Sequence, residues 1–130
     1  MPRLAIALTT LVVPDYDSAL EYFVKVLGFD LREDTQLDAE KRWVVVAPTP
    51  SSAGGLLLAK AANDEQQQRV GNQTGGRVAF FLSTDDFDST YAEYLDRGVN
   101  FCESPRVESY GKAVVFEDPF GNRWDLIEHT

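Results

Sequence analysis

Apolar positions along this chain fall into two similar series, each with strand-like runs around one helical run. Leu4 to Val13 is nearly continuous in apolar residues and threonine, the pattern of a strand buried on both faces. Asp15-Tyr16-Asp17-Ser18 then offers capping oxygens, and Ala19, Leu20, Tyr22, Phe23, Val26 and Leu27 recur at helical spacing until Gly28 supplies a left-handed end. Further strands are predicted from Phe29 to about Thr35, from Lys41 to Ala47 and from Leu56 to Ala59. The stretch from Asn63 to Gly76 is polar and rich in Gln and Gly, and reads as a helical turn plus a linker.

The second series opens like the first. Val78 to Leu82 reads as a strand, and Asp86-Phe87-Asp88-Ser89 caps a helix whose apolar face carries Tyr91, Tyr94 and Leu95, closed by Gly98. Strands follow at Val99–Cys102 and Lys112–Phe116. The Asp-aromatic-Asp-Ser caps match residue for residue, and each helix ends in Gly before an aromatic or β-branched residue. The chain is therefore expected to be an α+β fold of two βαβββ repeats, about 3–60 and 77–129 joined by 61–76, forming curved mixed sheets around a concave pocket.

The last strand follows a distinctive turn, Glu117-Asp118-Pro119-Phe120-Gly121-Asn122. Pro119 presets φ, Gly121 is free of Cβ constraints and Asn122 tolerates left-handed geometry. In Arg123 to Glu128, alternation places Trp124 and Leu126 on one face, and Arg123, Asp125 and Ile127 on the other. Asp125 is then either a pocket group or an ordinary surface charge.

Composition narrows the function classes. Hydrophobic residues at 44% exclude disorder, and a net charge of −9 argues against nucleic acid and anionic membranes while suiting a cationic ligand. Cys102 is the single cysteine, so no intrachain disulfide or thiolate cluster forms, and without a basic neighbour it reads as an inert thiol. Neither a signal-peptide pattern nor a membrane-length apolar run is evident, so a cytoplasmic protein is expected.

Val13-Pro14-Asp15 with its helix to Gly28-Phe29, the paired repeat, and the run from Phe116 to Leu126 together resemble the vicinal-oxygen-chelate superfamily over nearly the whole chain. That superfamily groups glyoxalase I, extradiol dioxygenases and bleomycin-resistance proteins. The resemblance implies a divalent metal held on the concave face by His, Gln or Glu from the first, fourth, fifth and eighth strands. Here those positions fall on Leu8, the Leu56-Leu57-Leu58 run, Ala79 and Asp125, so only Asp125 keeps an oxygen donor. His129, the sole histidine, lies outside such a ring. No metal and no cofactor is expected.

Alternation predicts a lining of Ile6, Leu8, Thr10 and Val12 in the first repeat and Arg77, Ala79, Phe81 and Ser83 in the second, with Asp125, Ile127 and Arg123. The candidate ligand-binding residues are Asp125, Arg77, Phe81, Ser83 and Thr10, with Trp43 able to stack on a flat ligand and Tyr110 able to reach over the pocket mouth. Equally, Arg77 and Asp125 could simply pair, with the aliphatics as core. Two functions follow from the resemblance: a binding protein similar to bleomycin-resistance proteins, taking a cationic or aromatic small molecule, or a lyase, isomerase or dioxygenase acting on a small oxygenated substrate. A homodimer is also implied, with open edges completed by a second copy.

Overall fold

A computed structural model describes all residues from Met1 to Thr130. The chain divides into two compact units, Met1–Val70 and Gly71–Thr130.

The N-terminal unit holds β1 (Leu8–Val13), α1 (Tyr16–Leu20), a π-helical segment (Glu21–Val26), β2 (Asp30–Gln36), β3 (Arg42–Ala47), β4 (Gly55–Lys60) and α2 (Asp64–Arg69). Its sheet runs β1-β4-β3-β2, with β1 parallel to β4 and the other pairs antiparallel. Asp15 caps α1 by accepting from the Ser18 amide at 2.7 Å. The helical run is not α-helical throughout. The Leu27 amide reaches back five residues to the Tyr22 carbonyl, a wider turn that keeps Tyr22, Phe23 and Leu27 all buried. Leu11, Val13, Val44, Val46 and Leu58 bury the helix-facing side of the sheet with Ala19 and Phe23.

The C-terminal unit holds β5 (Val78–Ser83), α3 (Phe87–Asp96), β6 (Asn100–Phe101), β7 (Arg106–Glu108), β8 (Gly111–Glu117) and β9 (Arg123–His129). Its sheet runs β5-β9-β8-β6, with β5 parallel to β9 and β7 also pairing β8. In both units the first strand lies parallel beside the last strand of an antiparallel meander, which is the repeated βαβββ topology. Phe116 stacks on Trp124 at 5.9 Å, and with Phe87, Tyr94, Val114 and Leu126 they form a buried core. α3 is tied to β9 at its start, where Glu128 accepts from the Phe87 amide at 2.6 Å.

The first strand is shorter than its apolar run suggests. Its partner β4 begins at Gly55, opposite Leu8, and the last bond toward the N-terminus is from the Gly55 amide to the Ala7 carbonyl at 3.1 Å, so Leu4 to Ile6 lie outside the ladder, and Leu4 and Ile6 are exposed. Nor is β1 buried on both faces: Leu8, Thr9 and Thr10 are open to solvent, while Leu11 and Val13 are buried. β7 was not apparent as a strand in the sequence.

Candidate functional site

The turn before β9 decides which face Asp125 presents. Asp118, itself buried, accepts from the amides of Phe120 and Asn122, from the Asn122 side-chain amide at both oxygens, and from Trp124 Nε1, all between 2.9 and 3.2 Å. The Asp118 amide in turn donates to the Asn122 carbonyl at 2.9 Å, closing the turn. Gly121 takes the left-handed conformation with φ of 103°, but Asn122 does not. Its place in the motif rests on its side-chain amide, which has Asp118 to bond, rather than on backbone tolerance. With Trp124 anchored to Asp118 and stacked on Phe116, the next residue must point to the opposite face of the sheet.

On that face Asp125 lies between its register partners Phe81 on β5 and Val115 on β8, with Ser83 beside Ile127 one step along. Asp125 and Ile127 are buried, and Phe81 is 69% exposed. The Asp125 side chain is nine-tenths buried, and its Oδ1 accepts no hydrogen bond. The group nearest to pairing with it is Arg106, whose Nη2 lies 3.9 Å away. The other nitrogens of that guanidinium are held elsewhere: Nε donates to Glu103 at 3.0 Å, and Nη1 donates to Glu108 at 3.0 Å and to the Tyr110 hydroxyl at 3.4 Å, which leaves Nη2 toward Asp125. Glu103 also accepts from the Val115 amide at 2.9 Å, which fixes it beside the face. Burial holds the Asp125 carboxyl above the ordinary carboxylate range; Arg106 pulls it down and Glu103 pushes it further up.

The sequence-derived candidates separate. Asp125, Phe81 and Ser83 share one face of the C-terminal sheet, and Tyr110 joins them through Arg106. Arg77 does not pair with Asp125. It precedes β5, is exposed, and its carbonyl accepts from the Thr74 hydroxyl, while Arg106 takes the place beside the carboxylate. Arg123 is exposed at the start of β9 and also makes no such pair. Thr10 and Trp43 belong to the N-terminal unit: Thr10 is register partner of Leu57, and Trp43, half-buried on β3, lines a cavity of about 500 Å³. Ile6 lies outside the strand and lines nothing in it. Arg106 and Glu103 were missed. The signal was the Glu103-x-x-Arg106-x-Glu108 spacing, in which alternation through a short strand puts Arg106 and Glu108 on one face.

No three His, Cys, Asp or Glu side chains converge as a metal site requires. No helix is long and apolar enough to cross a membrane. The Cys102 thiol is pushed up by desolvation and by nearby Glu117.

Comparison with known proteins bears on all of this. The family model for the glyoxalase/bleomycin resistance protein/dioxygenase superfamily matches residues 5–126. An uncharacterized protein of Shewanella frigidimarina is 50% identical over 119 residues, covering 91% of this chain and 88% of the relative. Among solved structures, a superfamily member from Sphaerobacter thermophilus superposes with a TM-score of 0.80 at 32% identity, over 98% of both chains. TnmS3, an antibiotic binding protein from Streptomyces sp. CB03234, superposes at 0.79 with 27% identity, over 100% of this chain and 99% of that one. With the repeated βαβββ topology and a match spanning nearly every residue, this chain belongs to the glyoxalase/bleomycin resistance protein/dioxygenase superfamily.

Proposed function

We propose that the protein is a binding member of this superfamily, which takes a small planar molecule bearing a cationic group on the concave face of the C-terminal sheet. The carrying observation is Asp125: a carboxylate nine-tenths buried, with one oxygen accepting no hydrogen bond, beside the exposed ring of Phe81. A buried carboxylate oxygen that has an ion-pair partner at 3.9 Å but no hydrogen bond is incompletely compensated, and a ligand N–H donor at Oδ1 would supply the missing charge-assisted bond. Phe81 offers the ring a stacking surface and Ser83 a further hydroxyl. The antibiotic-binding neighbour supports binding as the role, without bearing on the ligand's shape or charge. A divalent ion does not suit these residues, because a guanidinium flanks Asp125 and Glu103 is already bound to Arg106 and the Val115 amide. The reading therefore has no metal in it.

Titration of the full chain with 1-naphthylmethylammonium tests it. Saturable amide shifts at Phe81, Val115 and Asp125, unchanged by excess chelator, are expected. Absence of shifts there up to millimolar probe, or their loss with chelator, would overturn the reading. The proposal extends to a homodimer, since apolar side chains such as Phe81 and Val107 stand exposed on a single chain. Light scattering at micromolar concentration should then give twice the 14.5 kDa chain mass, and a monomer mass would remove the second copy from the picture.

A further inference from the structure

Arg106 approaches Asp125 without closing on it, and what holds its other nitrogens explains the gap. A guanidinium free to choose presents two nitrogens to a carboxylate at about 2.7–2.9 Å. Here Nε is spent on Glu103 and Nη1 on Glu108 and Tyr110, while Nη2 makes no hydrogen bond and stops 3.9 Å from Asp125 Oδ1. That distance is beyond hydrogen-bond reach. A buried acceptor and an uncommitted donor therefore face each other unjoined.

Two anchors of unequal stiffness keep Arg106 there. Glu103 Oε2, which takes Nε, also accepts the Val115 amide at 2.9 Å, and Val115 is the register partner of Asp125 on β8. One end of the guanidinium is thus tied to the backbone directly across the ladder from the carboxylate. The other end depends on Glu108, two residues along β7 on the same face, whose side chain is 39% exposed and makes no other bond. No other charge competes for the place beside Asp125. On that face β5 offers Phe81 and Ser83, and β8 offers Ala113 and Val115, none of them charged. Along β9, Arg123 has Glu117 as its register partner, and His129 lies against the Tyr110 ring at 6.4 Å. Only Arg106 and Glu103 bear electrostatically on the Asp125 carboxyl, in opposite senses.

We propose that Glu108 is a positioning residue: by holding Nη1 it keeps Arg106 short of Asp125, and so keeps Oδ1 open to a ligand cation. Arg106 is a built-in rival to that cation, and the Glu108 tether sets how far the rival is held back. The effect on ligand affinity rests on the cation-binding role proposed above, whereas the effect on Asp125 itself does not.

The test follows the side-chain carboxyl carbon of Asp125 through pH by NMR of the isotope-labelled full chain, with no ligand present. Glu108→Ala lets the guanidinium turn onto the carboxylate, so the Asp125 midpoint should fall by about one pH unit. Arg106→Met removes the rival and should raise the midpoint. In that background Glu108→Ala should have no further effect, which separates a tether from the mere loss of a nearby negative charge. Asp88→Asn loses an equal charge on α3, where Asp88 pairs with Lys112, and should leave the midpoint in place. In titrations with 1-naphthylmethylammonium above every variant's midpoint, Glu108→Ala should weaken binding about fivefold and Arg106→Met should strengthen it. An Asp125 midpoint unmoved by Glu108→Ala, a shift equal with and without Arg106, or probe binding that ignores the variant would overturn the proposal. A moved midpoint with no probe bound even by wild type would instead sink the cation-binding role and leave the tether standing.

Discussion

Replacing Asp118 with alanine is expected to lower the stability of the protein by roughly 3–5 kcal/mol in urea unfolding. Asp118 is 3% exposed, and its carboxylate is the common acceptor for Trp124 Nε1, the Asn122 side chain and the amides of Phe120 and Asn122. Truncation leaves these donors facing a small void from which water is largely excluded. Each unsatisfied buried donor costs about 1–3 kcal/mol, with partial relaxation reducing the total. Trp124 is itself 2% exposed and stacks on Phe116, so it cannot swing out to find water without opening the core. Gly71 adds a further restraint, because its Cα packs so close to the Phe120 carbonyl that any side chain there would collide. Asp118→Asn, which keeps the shape and one acceptor oxygen, should fall between wild type and alanine. A loss below about 1 kcal/mol for Asp118→Ala would mean that the turn is held by its backbone alone.

That residue also shows what a sequence does and does not disclose. The turn was legible from Pro119 and Gly121, because φ preferences are local. The carboxylate clamp was not, since it needs Trp124 Nε1 to arrive from six residues away. Alternation placed Phe81, Ser83 and Asp125 on one face, and the parallel β5–β9 register keeps them there because both strands follow a period of two. Arg106 escaped notice because three residues of β7 are too few for a pattern to stand out. Leu4 to Ile6 failed in the opposite direction: an apolar run reads as strand whether or not a partner exists, and here β4 starts too late. The π-helical turn and the cleft at Trp43 depend on where a helix widens and a ladder stops. Neither leaves a periodic trace.

Asp125→Asn is expected to move stability and binding in opposite directions. The carboxyl is buried, Arg106 at 3.9 Å is too far for a hydrogen bond, and that guanidinium is shared with Glu103, Glu108 and Tyr110. Burial therefore raises its pKa in the folded chain above the unfolded value. For a carboxyl raised in this sense, the folded state holds the proton more tightly. Stability is lost as pH climbs from the unfolded pKa through the folded one, and the loss persists at neutral pH. The amide never ionises, so the variant should be more stable than wild type by about 1 kcal/mol at pH 7, and the gap should close as pH falls below the ordinary aspartate range. Binding of 1-naphthylmethylammonium should weaken about ten- to a hundredfold, the equivalent of a charge-assisted hydrogen bond worth roughly 1.5–3 kcal/mol. In wild type that affinity should fall with acidification at a pH above the one where an unperturbed aspartate would protonate; in the variant it should not. Melting curves and titrations across pH read both quantities on the same samples. A variant that melts lower and binds the cation unchanged would make Asp125 a structural partner of Arg106 and remove it from the ligand site.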